Sequence, residues 1–162
     1  MTEQNETRVG VAELISAIKK AGASEKVVEF QYPYMTDVFF KLAYASKQLL
    51  KGITDEAREN FFNTRTRQQD DRINDEKFNR ASARQLIKDW RGLTVGRLRK
   101  IVVGLEVAGD EAQEIPYDEE LSFVMMDNSI DLQLWVVNAA TDVSNYAKIA
   151  EVKKEQYENL AK

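Results

Sequence analysis

One short region of this chain has the hydrophobic pattern of β-strands, whereas the regions on both sides of it have helical spacing. This contrast constrains the fold more than any other feature of the sequence. Over Val28–Tyr32, apolar or aromatic residues alternate with polar ones, and Val38–Tyr44 continues with aromatic and branched residues that favour a strand. A period of two is typical of β-strands, whereas most of the chain repeats at helical spacing. The intervening stretch Pro33–Asp37 predicts a turn. We therefore expect one β-hairpin that rests on helices, because two strands alone are only marginally stable in water.

Helices are predicted for most of the remaining chain. Glycine and proline contribute only 7 and 2 of the 162 residues, which favours long helices over many strands. A helix is expected from Asp75 to Gly92 with Trp90 on its apolar side, and the polar stretch 63–74 before it reads as an exposed connector. Other apolar stripes follow four residues that can serve as N-caps, namely Ser46, Thr94, Asp118 and Ser129.

The last helix is predicted to be long, because the stripe that starts after Ser129 continues through Tyr146 and more weakly to Leu160. The fold class that follows is α+β and predominantly α-helical: a helical domain with one small β-hairpin and a long C-terminal helix. We divide the chain into an N-terminal amphipathic appendage (1–23), a single helix-rich domain with the hairpin (24–150) and a projecting end of the last helix (151–162).

The appendage carries a short apolar stripe of its own. Four residues at helical spacing form this stripe, and they are Val11, Leu14, Ile15 and Ile18. Gly22 is well placed to end the helix. The stripe is predicted to dock either on the domain or on a partner.

Several classes of chemistry are excluded by what the sequence lacks. The chain has no histidine and no cysteine, which removes the commonest general base, the commonest metal ligand and the thiol nucleophile. No glycine spacing matches a phosphate-binding loop. We predict a protein that is not an enzyme, with no catalytic, cofactor-binding or metal site. No apolar run approaches the roughly 20 residues of a membrane span.

Charge is unevenly distributed along the chain. Residues 64–104 hold 11 basic and 5 acidic residues, a net charge of +6, whereas residues 105–162 hold 4 and 13, a net charge of −9. The basic segment could pair with the protein's own acidic C-terminal third, with an acidic protein partner or with nucleic acid. The isoelectric point near 5.1 makes nucleic acid the least favoured of the three.

Three segments, taken together, resemble a known family. They are the hairpin followed by Leu42–Ser46, the stretch Lys88–Leu93 with the pattern D-W-x-G-L, and Ile115–Tyr117 followed by Asp131-Leu132-x-x-Trp135-Val136. In this order, over roughly residues 28–146, they resemble the tail assembly chaperones of tailed bacteriophages of the siphophage type. The resemblance implies a non-enzymatic protein of the host cytoplasm that binds the tape-measure protein and helps to recruit tail-tube protein.

The resemblance brings no catalytic residues with it, so the candidate contacts come from exposed-looking side chains. For partner binding we single out seven residues: Tyr34, Phe39, Val143, Tyr146, Ala150, Arg97 and Arg99. A homo-oligomer is left open. Two other functions also fit the composition, namely a structural protein of the virion, at the head–tail joint or as a minor tail component, and a DNA-binding regulator that uses segment 64–104.

Overall fold

A computed structural model describes residues 8–147 and residue 160. The described chain contains six helices and five strands. In order they are α1 (Val11–Ala23), β1 (Val27–Gln31), β2 (Phe39–Ala43), α2 (Lys47–Ala57), β3 (Arg58–Asn63), β4 (Gln68–Ile73), α3 (Asp75–Leu86), β5 (Ile87–Arg91), α4 (Val95–Ile101), α5 (Glu119–Asn128) and α6 (Ile130–Thr141).

The core forms between one antiparallel sheet and the helices that cover one of its faces. The sheet has the strand order β1-β2-β5, and α3 and α6 contact its central strand. Phe40 and Leu42 of β2 are fully buried on the covered face. On the other face Lys41 lies 4.0 Å from Asp89, so this side of the sheet is polar and meets solvent.

The expected hairpin is confirmed, but it is not the only β-structure. Strands β3 and β4 form a separate two-stranded sheet, the β3–β4 arm (residues 58–73). Its second strand replaces the connector expected over 63–74, and its first strand replaces the end of a helix expected to reach Phe61. Both faces of the arm are largely solvated, so its sequence lacks the apolar alternation of a half-buried strand. Local side-chain bonds replace that signal: Asn63 donates to Asp70 at 2.8 Å and accepts the Arg65 backbone N–H at 3.0 Å.

The prediction of a helix as far as Gly92 is also wrong, since α3 ends at Leu86 and the chain continues as β5. The register of β5 against β2 pairs Trp90 with Phe40 and Ile87 with Leu42, with Lys88 as an extra residue. This bulge places Ile87 and Trp90, three residues apart, on the same buried face. A spacing of three residues between apolar side chains is also typical of a helix. The segment forms a strand because it pairs with the edge of β2 that β1 leaves free.

The long C-terminal helix is interrupted. Helix α6 ends at Thr141, and residues 143–147 are helical again. The carboxylate of Asp142 accepts the backbone N–H of Ser144 at 3.0 Å and its hydroxyl at 2.7 Å, so this side chain caps a new turn in place of continuing the old one. The predicted projecting end, 151–162, lies outside the described residues except for Leu160.

The fold class is therefore corrected to an α+β mixture with two small antiparallel sheets, and the description as a helical domain with one hairpin is wrong. The predicted N-caps are confirmed. Each of the four side chains accepts a backbone N–H three residues later, in the pairs Ser46–Leu49, Thr94–Arg97, Asp118–Leu121 and Ser129–Leu132.

Candidate functional site

Two of the predicted contact residues, Arg97 and Tyr34, lie at the turn end of the three-stranded sheet. Arg97, at the start of α4, lies 3.1 Å from the carboxylate of Asp37 and donates to the Gly92 carbonyl at 2.5 Å. Tyr34 is 67% exposed, with its ring edge-on to the buried ring of Tyr32 at 5.3 Å. Arg97 thus ties the β1–β2 turn to the end of β5, and Tyr34 is the side chain that remains accessible there.

Phe39 lies close to this turn but on the polar face of the sheet, since neighbouring residues of a strand point to opposite faces. The guanidinium of Arg91 stacks over its ring at 3.9 Å and also pairs with Glu29. Phe39 is only half-buried, but Arg91 covers the ring and reduces the surface that it offers to a partner.

The D-W-x-G-L segment has a packing role. The Trp90 indole N–H donates to the Ile115 carbonyl at 2.9 Å, and the Tyr117 hydroxyl donates to the Ile87 carbonyl at 3.0 Å. Gly92 has φ +75°, and a Cβ placed there would lie 1.9 Å from the Asp37 carbonyl oxygen. The second and third segments of the resemblance therefore contribute to the interior of the fold.

The other predicted contacts are scattered. Val143 is 60% exposed, whereas Tyr146 is buried and donates from its hydroxyl to the Leu42 carbonyl at 3.2 Å. Its ring packs on Phe30 and Tyr44, so Tyr146 is part of the core and does not face a partner. Ala150 lies outside the described residues.

Three tyrosine hydroxyls (Tyr32, Tyr117 and Tyr146), the Glu59 carboxylate and the Arg80 guanidinium have pKa values shifted from their ordinary ones. Burial, with the neighbouring phenol of Tyr34, raises the pKa of Tyr32 to about 12. Burial also raises the pKa of Tyr146. Hydrogen bonds from Arg72 and Asn74 lower the pKa of Glu59. The tyrosine rings pack against other aromatic rings, and Glu59 fixes the root of the β3–β4 arm.

The basic segment pairs mostly with acids that precede it in the chain. Arg72 lies 2.8 Å from Glu59, and Arg91 and Arg97 pair with Glu29 and Asp37. Arg99 is the member of the predicted contact set that reaches the C-terminal third, with Glu111 at 3.0 Å. The self-pairing interpretation thus holds for these four arginines, but largely with other acids than the ones expected.

The predicted N-terminal apolar stripe lies on α1 and is exposed to solvent; we call it the α1 stripe (Val11, Leu14, Ile15 and Ile18). None of the residues of α1 is buried, and Val11, Leu14, Ile15 and Ile18 are exposed by 73, 49, 50 and 70%. Helical spacing had identified the stripe, and the structure shows that the domain does not cover it. Four apolar side chains on one solvent-facing helix side are suited to packing against another helix.

An open groove of about 500 Å³ lies next to the C-terminal end of α1. Ala43, Leu49 and Ile53 are among the residues that line it, and the pair formed by Glu25 and Lys88 at 2.8 Å also borders it. Across the part of the chain that the structure describes, no three acidic side chains converge as metal ligands. None of the helices described is both long enough and apolar enough to cross a membrane.

With this geometry established, the comparison with known families becomes informative. A family model described as YdaY prophage protein matches residues 34–159. The chain belongs to this family. The YdaY match establishes a phage origin, begins within the β1–β2 turn and covers every later element, but it leaves out α1 and β1. No curated protein and no solved structure matches the chain.

Proposed function

We propose that this phage protein is a non-enzymatic tail assembly chaperone, which binds the helical tape-measure protein through the α1 stripe and promotes addition of tail-tube protein. The order of the motifs between residues 28 and 146 supports the assignment, because it resembles that of such chaperones. The YdaY family match supports a phage context.

The observation that carries the proposal is the exposure of the α1 stripe. Side chains at positions i, i+3, i+4 and i+7 form one continuous apolar side, and its members are exposed by 49 to 73%. A long helical client with exposed apolar positions would aggregate during assembly unless those positions were covered. Helix-to-helix packing against α1 would cover them without any catalytic group.

The contact through α1 is expected to be individually weak. A helix of 13 residues with four apolar contacts buries far less than the roughly 800 Å² per partner of a standard interface. Several copies along one client would hold it by avidity and could still be displaced when tube subunits arrive. The chaperone role therefore calls for many weak contacts, and the site offers contacts of this kind.

The DNA-binding alternative has less support. A phosphate-binding surface needs arginines that are free to neutralise phosphates. Arg72, Arg91, Arg97 and Arg99 are each engaged by a carboxylate of the protein itself. Within the described residues, this leaves Arg65 and Arg67 as the arginines of segment 64–104 without an ion pair. The structural-virion alternative is retained as an outcome of the test.

The test is co-expression with the tape-measure protein of the same prophage. The wild-type chain should keep the client soluble, and L14E/I18E should lose this effect because two charges interrupt the stripe. The matched control is S16E/K20Q, which changes the net charge by the same two units on the opposite side of α1. Both variants should retain the far-ultraviolet circular dichroism of the wild type.

Two results would contradict the proposal. If L14E/I18E protects the client as well as the control does, the stripe is not the contact surface. If client solubility is the same with and without this protein, and purified tailed particles contain the chain in stoichiometric amounts, the protein is a structural component of the virion.

A further inference from the structure

One part of the molecule has an excess of negative charge that its own arginines do not neutralise. Residues 101–147 contain ten acidic residues and no basic residue. Seven of the ten lie between 106 and 120, and all seven are exposed. Within the described residues, ion pairs engage only Glu111 and Glu120 of these seven. The segment between α4 and α5 (residues 102–118) therefore presents a negative surface, with Val103 and Val107 exposed beside Glu106 and Asp110.

The tip of the β3–β4 arm has the opposite character. The turn at 64–67 has the sequence Thr-Arg-Thr-Arg, and Arg65 and Arg67 are both exposed. Neither forms an ion pair within residues 8–147, unlike Arg72 at the root of the arm. Phe62, two residues before the turn begins at 64, is 59% exposed. The tip thus combines two cations with one accessible aromatic ring.

The arm is anchored so that this tip projects in a defined direction. Glu59 accepts a hydrogen bond from Arg72 at 2.8 Å and one from Asn74 at 3.2 Å, and Lys77 lies 3.6 Å from it. The Asn74 backbone N–H also donates to the Ala57 carbonyl at 2.8 Å, which closes the base of the arm. A rigid base reduces the entropy that is lost when the tip binds.

We infer that the tip of the β3–β4 arm of one copy docks on the segment between α4 and α5 of a second copy of this chain. Charge complementarity identifies the occupant: Arg65 and Arg67 face Glu106 and Asp110. The ring of Phe62 covers the exposed side chains of Val103 and Val107. The contact uses no residue of α1, so it is independent of the proposed client surface.

Two consequences follow from the geometry of such a contact. The arm and the acidic segment are different surfaces, so each copy can use both at once and the assembly grows as a ring or an open filament. A strand of six residues is about 20 Å long, and a contact of this size falls in the weak class of interfaces. Assembly should therefore depend on concentration and should weaken as salt screens the charges.

The experiment is sedimentation velocity on the full chain across a concentration series, at low salt and at about 0.5 M salt, where the Debye length is only a few ångströms. The wild type should form larger species as concentration rises at low salt and return to monomer at high salt. R65E/R67E should stay monomeric, because its arm and its acidic segment are both negative. E106K/D110K should stay monomeric as well, because the two side chains that Arg65 and Arg67 would face are then cations.

The decisive sample is an equimolar mixture of the two variants. Each altered surface then meets a complementary one on the other variant, so the mixture should assemble although neither component does alone. K47E/K51E, which makes the same charge change as R65E/R67E on the exposed side of α2, should assemble like the wild type. Thermal unfolding followed by circular dichroism should show that all the variants are folded.

Three results would overturn the inference. The wild type could remain monomeric at every concentration, the two variants could assemble like the wild type, or the mixture of folded variants could fail to assemble. A monomeric wild type that binds duplex DNA, with binding lost in R65E/R67E, would assign the arm to nucleic acid and would also overturn the inference. The client-solubility test can fail independently of all of these results.

Discussion

Helices α1 and α6 both carry apolar residues at helical spacing, yet they lie in opposite environments. Leu132 and Val136 of α6 are fully buried, and Trp135 packs edge-on to Tyr32 at 5.0 Å and to Phe40 at 5.6 Å. No residue of α1 is buried. The spacing of apolar residues thus predicts a helix with one apolar side, but it does not tell which surface covers that side.

The partners available to each helix explain the difference. Helix α6 follows α5 with only Ser129 between them, so it packs against α5, α3 and strand β2 at once. Helix α1 precedes β1, which is an edge strand of the sheet. No residue of α1 belongs to the core cluster. We interpret α6 as a helix that builds the domain and α1 as a helix that is left available for a partner.

The largest effect on stability is expected at a glycine that lies against another part of the backbone, and a glycine in open space provides the comparison. Gly92→Ala should lower the free energy of unfolding by more than about 3 kcal/mol, because a positive φ is combined with a Cβ that would collide with the Asp37 carbonyl. Gly104→Ala has a similar φ of +83° but open space around it, so it should cost about 1 kcal/mol. Denaturant unfolding of both variants measures the difference, and equal losses would show that the approach at Gly92 is not restrictive.

A second comparison sets one side chain of the core against one of the α1 stripe. Trp90→Ala should cost about 3 to 5 kcal/mol, since it removes a buried ring and leaves the Ile115 carbonyl without its donor. Ile18→Ala, at a side chain that is 70% exposed, should change stability by no more than about 0.5 kcal/mol. The same unfolding experiment decides, and a core-like loss for Ile18→Ala would mean that the domain covers α1.

A smaller effect is expected at alkaline pH, and it concerns the core alone. The pKa values of Tyr32 and Tyr146 are raised above the ordinary value of 10.0, so the unfolded chain releases these protons at lower pH than the folded one. Stability should therefore be intact below about pH 10 and should fall as the pH rises above it. Tyr146→Phe should make the decline shallower when thermal unfolding is followed from pH 9 to 11. An unchanged slope would show that the Tyr146 phenol does not contribute to the decline.

Features fixed by near neighbours in the chain could be predicted from the sequence. The four N-caps and the β1–β2 hairpin depend on residues within a few positions of each other, and the sequence predicts all of them. The strand β5 could not be predicted, because the bulge at Lys88 gives Ile87 and Trp90 a spacing of three, which a helix would also produce. The β3–β4 arm was missed because a ribbon that is solvated on both faces has no apolar alternation.

The candidate site was predictable to a similar extent. The α1 stripe and the exposure of Tyr34 follow from local pattern and turn position. Tyr146 could not be placed, because its burial depends on Phe30 and on the Leu42 carbonyl, more than 100 positions earlier in the chain. The acids that neutralise Arg91 and Arg97 were likewise set by strand pairing and by the β1–β2 turn, which bring Glu29 and Asp37 beside them.

Amide hydrogen exchange, measured by mass spectrometry on the protein alone and with its tape-measure protein, tests the contrast between α1 and the core most directly. Alone, the amides of Val11–Ala23 should exchange quickly through local opening, whereas those of β2 and α6 should exchange only on global unfolding. With the client bound, protection should appear on α1 and leave β2 and α6 unchanged. Exchange from α1 as slow as from α6 in the protein alone, or client-induced protection that bypasses α1, would contradict the account.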